Sequence, residues 1–439
     1  MKHINKLIIL FFSCCISANY GQEILSKEAA INIALEYNYG ILIAKNNMKI
    51  AKNNASIYNS DYLPKITANA GANYNNDTNE FTLQNGEKTT VNDVESKVYN
   101  ASIGLNYTLF DGLGRTYNYK KLKETYNLSE LEAKAIIENS LLQIFSKYFE
   151  IANLTENSKI YLESLNISKQ RLTRTKYGFD YGQNTKLQML NAEVDVNNDS
   201  IRYINTQRIL ANSKRDLNLL LGREVSTNFN VDTNVKFEQF YQLNSLLEKA
   251  KVYNIEIQKL SKSILLSDLD IKINKSNWFP TLNLNSSYGF NKSDNDATFN
   301  YAEQLSKGLN AGLSLNWNIF DGGNTKTKVQ NAKIIADNLQ VQKTQLSNEL
   351  ERNVTNAFEV YKNALFILKA EEKNVETNML NFSRTEEQFK LGQVTSIEFR
   401  QAQVNLLNAQ SNLNQAKFDA KNAELIMLQL SGELLNTNF

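Results

Sequence analysis

The sequence has almost none of the side chains on which most catalytic and metal sites depend. Its only histidine is His3, and its two cysteines are Cys14 and Cys15. If this N-terminal segment is cleaved, the mature chain has neither an imidazole nor a thiol. That excludes a Ser-His-Asp triad, a cysteine nucleophile, a disulfide and a histidine or cysteine metal site. Because no nucleotide-binding loop or supported acid pair is present either, we expect no cofactor, no metal and no enzyme activity.

The chain also lacks a charge excess and long apolar runs. Lysine and arginine number 48 against 46 acidic residues, and loss of Lys2 and Lys6 would leave the chain neutral. Nucleic-acid binding requires a basic excess or stripe, so no nucleic-acid partner is expected. After the N-terminus no stretch approaches the ~20 apolar residues of a membrane-spanning helix. If the chain is exported, as the N-terminal pattern described next indicates, it belongs in the periplasm, outside the cell, or in an outer membrane as β-strands.

Residues 1–21 have the pattern of an export signal. Two lysines precede the apolar run 7–12, and small residues follow it. A lipoprotein signal would instead need Cys14 or Cys15 to be acylated, although bulky phenylalanines precede them. The sequence leaves open whether either cysteine is lipidated.

The remaining chain is a duplication. Its only prolines, Pro64 and Pro280, mark two strand starts in similar contexts, Asp-Tyr-Leu-Pro-Lys and Asn-Trp-Phe-Pro-Thr. Two Phe-Asp-Gly motifs begin at Phe110 and Phe320, and the same spacing relates later glycines and alanines. We therefore predict four parts after the signal: a first structural repeat 22–222, a linker 223–244, a second structural repeat 245–432 and a C-terminal tail 433–439.

Most of each repeat has the periodicity of a coiled coil. Apolar residues are spaced alternately three and four in an opening helix, a long helix and a return helix. The long helices are predicted at 116–181 and 325–391, and the return helices at 184–221 and 394–431. A long helix of this size would measure about 100 Å. Core packing explains these apolar stripes, and we assign them no chemistry.

Between the opening and long helices the period changes to two. The alternation predicts β-hairpins at 65–110 and 281–320, with strands of about ten residues and long polar loops at 75–98 and 291–307. Ten residues is the length of a transmembrane β-strand, with apolar side chains outward and small polar ones inward. A soluble sandwich would show the same alternation, but the sequence offers no second sheet. The long loops are expected outside the cell.

Aromatic and acidic residues mark the ends of these strands. Four aromatic residues are placed to form a girdle at the membrane surface: Tyr62, Tyr107, Trp278 and Trp317. The strand-to-helix turns are Asp111-Gly112 and Asp321-Gly322. Their aspartates are suited to cap the long helices, so the helices should leave the barrel on its periplasmic side.

Four strands cannot close a barrel in lipid. Open edges would leave backbone groups without partners, and known single-chain barrels begin at about eight strands. Two copies would give eight strands and a filled lumen, whereas three give twelve and room for a pore. We therefore predict a homotrimer with a helical export tunnel. The alternative is a fibrous coiled-coil surface or structural protein, which would explain the heptads but neither the paired strands nor the duplication.

This layout resembles the outer membrane efflux protein family, the TolC family, from about residue 23 to 432. The resemblance is carried by the proline strand starts, the Phe-Asp-Gly turns and the segments 174–192 and 384–402. It implies a mainly α fold with a transmembrane β-barrel part. Long antiparallel coiled coils would form a trimeric α-barrel tunnel below a shared twelve-stranded barrel, with a small equatorial region at 223–244.

The resemblance also implies partners and a periplasmic tip. The chain would sit in the cell outer membrane, dock a periplasmic adaptor and, through it, serve an inner-membrane pump in tripartite efflux or type I secretion. The family's turns meet the adaptor, and the matching residues are Gly182, Gln183, Phe389, Gly392 and Gln393. The sequence does not choose between drugs, metal cations and proteins as cargo, or between pump classes.

In the family, acids just inside these turns constrict the entrance. Glu398 matches the first family Asp in kind, whereas Gln401 departs from the second, and the first repeat has Gln188 and Asn191 in these places. Three copies of Glu398 would form a ring that favours cations and raises the pKa of some of its carboxyls. Because Gln401 replaces the second acid, the case for a cation gate made of two acidic rings is weaker. The alternative is that Glu398 is an ordinary solvated charge on the helix.

Overall fold

The computed structural model describes residues 24–237, 241–295 and 302–436. The predicted signal peptide and the end of the predicted tail lie outside these ranges. The fold is mainly helical with antiparallel strands, as expected. The helices are α1 (Lys27–Tyr37), α2 (Tyr39–Asn54), α3 (Gly114–Asp180), α4 (Lys186–Leu221), α5 (Leu243–Tyr253), α6 (Ile255–Ser276), α7 (Asn324–Lys390) and α8 (Ser396–Ser431). The strands are β1 (Ile24–Leu25), β2 (Lys65–Thr82), β3 (Lys88–Phe110), β4 (Asn230–Val231), β5 (Thr281–Asn295) and β6 (Glu303–Asn316).

The chain divides into two compact units. Among the described residues, the helical unit comprises 24–46, 131–237, 241–258 and 345–436, and the strand unit comprises 47–130, 259–295 and 302–344. In the described ranges, no helix combines the length and apolar character needed to cross a membrane.

The opening helix predicted in each repeat is in fact two helices, broken at Asn38 and Asn254. The Asn38 side chain donates to the Leu220 carbonyl at 2.7 Å and accepts from the Ile41 backbone N–H at 2.9 Å. Asn254 donates in the same way to the Leu430 carbonyl at 3.1 Å. Asparagine interrupts a helix readily because its side chain competes for backbone groups, although the apolar heptads continue across both breaks.

The return helices end against these breaks. Gly222 and Gly432 adopt left-handed backbone conformations with φ of 72° and 76°. A Cβ at Gly222 would lie 2.1 Å from the Tyr37 carbonyl oxygen, and one at Gly432 would lie 2.6 Å from the Tyr253 oxygen. Both positions therefore require glycine for conformation and for close approach of two backbones.

Aromatic residues of α3 form the centre of one hydrophobic core in the helical unit. Phe145, Tyr148 and Phe149 are completely buried there. The Tyr148 hydroxyl donates to the Leu25 carbonyl at 2.7 Å and accepts from the Asp232 N–H at 2.9 Å. It thereby ties down β1 and β4, which pair in parallel as a small two-stranded sheet within the helical unit.

The strand unit holds one antiparallel sheet in the order β2-β3-β5-β6. Its register places the alternating apolar residues on one face, with Tyr107 opposite Leu284 and Leu284 opposite Leu313. The other face is small and polar, and there Thr108 donates to the Asn283 side chain at 2.9 Å. The predicted two-residue alternation therefore corresponds to two chemically distinct sheet faces.

The expectation of ten-residue strands was wrong. β2 and β3 contain 18 and 23 residues, and they run through most of the predicted loop at 75–98. Between them is a tight turn at Asn85-Gly86, where Gly86 has φ 87°. An Asn-Gly pair between two segments of alternating apolar and polar residues is a hairpin signal. The signal was missed because the segments on both sides of this pair are mostly polar. In the second hairpin β6 ends at Asn316, so the prediction that it reaches 320 was also wrong.

Candidate functional site

The helix pairs α3-α4 and α7-α8 are joined by the same five-residue turn. Gly182 and Gly392 have φ of 73° and 76°. Gly392 donates to the Phe389 carbonyl at 3.1 Å, and Gln393 donates to the Gln388 carbonyl at 2.8 Å. This is a Schellman motif, and the turn at Gly182 repeats it. Since a Cβ at either glycine would meet nothing within 4 Å, the positive φ alone requires glycine.

The return helices begin with matching capping boxes. Thr185 pairs with Gln188 at the start of α4, and Thr395 pairs with Glu398 at the start of α8. The Glu398 carboxylate accepts from the Thr395 backbone N–H at 2.7 Å and from its hydroxyl at 2.8 Å. These hydrogen bonds hold the pKa of the Glu398 carboxyl below its ordinary value in the single chain. Gln188 and Glu398 therefore have the same capping role, but only Glu398 is charged.

The Phe389 ring packs inward at the second turn. It stacks on Phe399 with a centroid separation of 4.6 Å. The Arg174 guanidinium lies 5.2 Å from the centroid of Phe389, and it donates to the Lys390 carbonyl at 2.8 Å. Phe389 therefore fixes the turn against neighbouring helices, whereas Gly392, like Gln393, is exposed.

A cleft near the turns brings predicted entrance residues together. Its lining includes three of the four expected side chains: Gln188, Asn191 and Gln401. The cleft is also lined by Arg171, Asp195 and Arg400. Glu398 is not part of this lining, since its carboxylate is turned back to its own helix end.

Beneath the cleft lies a buried group of charges, here called the tip ion cluster: Arg171, Asp195, Asp199 and Arg400. Arg400 binds Asp199 with two hydrogen bonds of 2.7 and 2.8 Å, and Arg171 pairs with Asp195. Asp199 is only 3% exposed. Burial would raise the pKa of Asp199, but hydrogen bonds from Arg400 and Ser168 outweigh it, so the pKa lies below its ordinary value. The cluster joins α3, α4 and α8.

The tip ion cluster was not predicted, although the duplication contains a signal for it. Asp199, Thr206 and Ser213 are buried at intervals of seven along α4. The spacing that relates the two repeats aligns them with alanines of α8, at 409, 416 and 423. These positions face the helix–helix contact in both repeats. Where one repeat has alanine and the other has a polar residue, the polar residue is expected to be buried and to belong to a polar network.

The strand-to-helix turns have the capping geometry that their sequence suggests. The Asp111 carboxylate accepts from the Arg115 N–H, and the Asp321 carboxylate accepts from the Thr325 N–H, both at 2.8 Å. The Thr325 hydroxyl and N–H hold the pKa of Asp321 below its ordinary value. The glycines that follow the aspartates, at 112 and 322, both have positive φ. Each turn thus stabilises the first turn of its long helix.

The four predicted girdle residues lie in the strand unit. The Tyr62 hydroxyl bonds the Thr116 hydroxyl at 2.7 Å, and Tyr107 lies on the apolar sheet face. Trp317 donates to the Trp278 carbonyl at 3.1 Å. Pro64 and Pro280 immediately precede β2 and β5.

The sequence of the chain matches a known family over both halves. The family model for outer membrane efflux proteins matches residues 30–223 and 246–433. The chain belongs to this family. As a member of the family, the chain is an outer-membrane efflux channel and not an enzyme, with its helical part in the periplasm. Membership sets aside the fibrous alternative.

Individual relatives have low sequence identity to this chain, but the similarity covers most of its length. The chain is 23% identical to outer membrane protein TolC of Vibrio cholerae over 301 residues, which cover 67% of this chain and 68% of TolC. It is 21% identical to the probable efflux pump outer membrane protein TtgC of Pseudomonas putida, over 87% of this chain and 78% of TtgC. The Campylobacter jejuni CmeC outer membrane channel has the same fold, with TM-score 0.77 at 17% identity over 93% and 86% of the two chains. CusC matches with TM-score 0.75 at 16% identity over 95% of each chain.

Proposed function

We propose that three copies of this chain form one exit duct, with a shared twelve-stranded barrel above a helical tunnel. The observation that carries the proposal is the sheet, in which β2 and β6 each pair along one edge only within the described residues. Unpaired backbone groups are not tolerated in lipid, so these edges need partners from other copies. Joining β6 of one copy to β2 of the next satisfies both edges. Three copies leave room for a pore, whereas two do not.

Exposed apolar seams on the helices support the trimer. Leu187, Val194 and Ile201 recur every seven residues on α4 and are 67%, 56% and 58% exposed. On α7, Phe366 is 75% exposed. Seams of this kind are typical of coiled-coil surfaces that a partner helix covers, and neighbouring copies would supply that partner.

The two repeats, 22–222 and 245–432, support a duct built from duplicated hairpins. Each has a helix break at an asparagine, a Schellman turn at its tip and a return helix ending at a glycine against the break. Such correspondence in detail favours duplication of one ancestral unit. Six such units would surround the axis of the trimer.

The tip turns would dock a periplasmic adaptor that connects the duct to an inner-membrane pump. Gly182, Gln183, Gly392 and Gln393 are exposed there, and Phe389 would act by fixing the second turn. Relatives named for antibiotic and toluene efflux favour small molecules over proteins as cargo.

Glu398, Gln401, Gln188 and Asn191 would line the entrance of the duct. The test is single-channel conductance of the purified oligomer, with Glu398→Gln beside the wild type. Glutamine should preserve the cap, because Gln188 already caps α4, so the variant removes only the charge. We expect reduced cation selectivity in Glu398→Gln. The control is Glu376→Gln, an exposed acid on α7 that pairs with Lys373, and it should behave as wild type.

Mass measurement and conductance together decide the proposal. A mass of three chains and discrete openings are expected for the wild type. A monomer or dimer would refute the duct. A trimer that does not conduct would indicate a closed channel that awaits its adaptor, or a structural rod. Equal selectivity in wild type and Glu398→Gln would remove Glu398 from the constriction but leave the duct intact.

A further inference from the structure

The helix end of the sheet carries tyrosines flanked by basic side chains. From this group we infer a lipid site, in which the side chains bind phosphate groups of anionic phospholipids in the periplasmic leaflet of the outer membrane. The inference rests on the proposed function, in which the apolar sheet face contacts lipid. We call the group the phosphate belt; its members are Tyr62, Tyr107, Arg115, Tyr117, Tyr119, Lys120, Lys123 and Lys272.

One part of the belt begins at the apolar sheet face and continues down one face of α3. The Arg115 guanidinium lies 5.9 Å from the ring centroid of Tyr107 and 5.4 Å from that of Tyr62. Tyr62 meets Tyr119 edge to face at 5.9 Å, and Lys123 Nζ is 4.3 Å from the Tyr119 centroid. Arg115, Tyr119 and Lys123 are four residues apart, so they share one helix face. The chain of contacts therefore leads from the lipid-facing surface to a free ammonium.

Three lysines of the belt have no acidic partner within 4 Å in the described ranges: Lys120, Lys123 and Lys272. Lys120 and Lys272 flank the ring of Tyr117 at 6.0 and 5.9 Å. Neighbouring cations differ, since Lys121 pairs with Asp270 at 2.6 Å and Arg115 pairs with Asp111 at 3.2 Å. The belt therefore presents three uncompensated positive charges per chain beside aromatic rings.

The two ends of the sheet carry opposite charge. Residues 75–98, at the hairpin end, contain five acidic residues and two lysines. Residues 111–124, at the helix end, contain four basic residues and two acidic ones. An anionic headgroup is therefore attracted to the helix end and repelled from the hairpin end.

Both residue types suit the phospholipid surface. Tyrosine prefers the membrane interface, because its ring is apolar and its hydroxyl is polar. Each lysine near an anionic surface strengthens binding by about fivefold. A lipid phosphate fits better than free phosphate, because the belt is continuous with the apolar sheet face where acyl chains would lie.

The test counts lipids bound to the detergent-purified full chain by native mass spectrometry. Phosphatidylglycerol is titrated against phosphatidylcholine, with inorganic phosphate as a competitor. The test variant changes Lys120, Lys123 and Lys272 to glutamine, and a second changes them to arginine. The matched control is Lys97→Gln, because Lys97 also lies over a tyrosine, Tyr74 at 5.8 Å, but sits toward the hairpin end.

We expect the triple glutamine variant to bind phosphatidylglycerol roughly a hundredfold more weakly and to lose its preference over phosphatidylcholine. The arginine variant and Lys97→Gln should stay within about twofold of wild type. The inference is overturned if the glutamine variant stays within about threefold, if Lys97→Gln weakens binding equally, or if inorganic phosphate displaces the lipid. Mass and conductance of the same samples separate the two proposals. A wild-type trimer that conducts without lipid preference overturns only the belt, whereas a non-trimeric wild type contradicts the duct.

Discussion

Removing one carboxylate from the tip ion cluster should loosen the helices near the turns. In Asp199→Ala, Arg400 loses both hydrogen bonds to the Asp199 carboxylate. Asp195, at 3.4 Å, is then its only acidic partner, beside neutral hydrogen bonds to Ser168 at 3.0 Å and Gln403 at 3.2 Å. The Ser168 hydroxyl loses its 2.5 Å contact with the same carboxylate. The guanidinium is then left in a site where its side chain is only 17% exposed. The expected consequence is a buried charge that is only partly compensated.

The magnitude follows from this burial. Breaking a buried ion pair by removing one partner costs about 3 to 5 kcal/mol. Because Asp195 still lies near Arg400, we expect the lower end of that range, about 3 kcal/mol. If the segment exchanges through local opening, this corresponds to about a hundredfold faster hydrogen exchange. The pKa of Asp199 is lowered in the fold, so its contribution is present above the unfolded pKa of about 3.9 and is lost as the pH falls through the folded value. At pH 7 the full effect should appear.

The assay is hydrogen exchange with mass spectrometry at pH 7 on the purified oligomer. Peptides around Ser168, Asp199 and Arg400 should exchange faster, whereas peptides around Phe145 in the distant core should not change. Lys373→Gln is the matched control, because it breaks a solvent-exposed ion pair on α7 and should have almost no effect. Asp199→Ala combined with Arg400→Met should recover most of the loss. An increase below about fivefold at Asp199 would refute the reasoning.

Three further predictions concern single residues. Burial raises the pKa of Glu138 from 4.5 to about 7, so its ionisation destabilises the fold as the pH rises from 4.5 through 7. Glu138→Gln should therefore be more stable at pH 8 by on the order of 3 kcal/mol, and unchanged pH dependence of thermal unfolding would contradict this. In Gly392→Pro, proline cannot adopt φ 76° and has no backbone N–H, so the turn is altered. Less adaptor should be recovered in a pull-down while the trimer still inserts into the membrane. Loss of the trimer would mean that the turn is needed for folding. Asn254→Ala removes the hydrogen bond from the Asn254 side chain to the Leu430 carbonyl, which should cost about 1 to 2 kcal/mol and appear as faster hydrogen exchange in α5 and α6. Unchanged exchange would mean that this hydrogen bond does not stabilise the helix break.

The sheet faces and tip turns could be predicted because local chemistry determines them. Alternation of two places Tyr107 and Leu284 on one face, whatever the length of the strand. A glycine such as Gly392 between coiled-coil segments marks a left-handed residue. Strand length was less predictable, because β2 and β3 continue into polar sequence, where backbone pairing and β-branched residues stabilise the strands.

The helix breaks and the tip ion cluster depend on contacts distant in sequence. The heptads pass through Asn254 without interruption, and only the nearby Leu430 carbonyl shows that its side chain ends one helix and begins the next. Asp199 and Arg400 are 201 residues apart, and each alone is typical of a solvated helix face. Comparison of the repeats would have indicated Asp199, since its counterpart is Ala409. A buried charge pair is therefore found from sequence only when the seam position and the partner are considered together.

Gly392 and Gly432 allow two effects of a glycine-to-alanine substitution to be measured separately: the strain of a left-handed backbone and the steric clash of a Cβ with a neighbouring backbone. Gly392 and Gly432 both have φ 76°, so alanine at either site incurs about 1 kcal/mol of left-handed strain. At Gly392 a Cβ meets nothing within 4 Å, whereas at Gly432 it would lie 2.6 Å from the Tyr253 backbone, which cannot rotate away.

Relief of that clash requires the end of α8 to separate from the break at Asn254, at a further cost of about 1 to 3 kcal/mol. Gly432→Ala should therefore accelerate hydrogen exchange at the end of α8 and around Asn254 by roughly ten- to a hundredfold more than Gly392→Ala does at its own turn. If the two variants respond equally, left-handed strain alone explains why glycine is present at both positions. The packing of α8 against the break would then be loose enough to accept a methyl group.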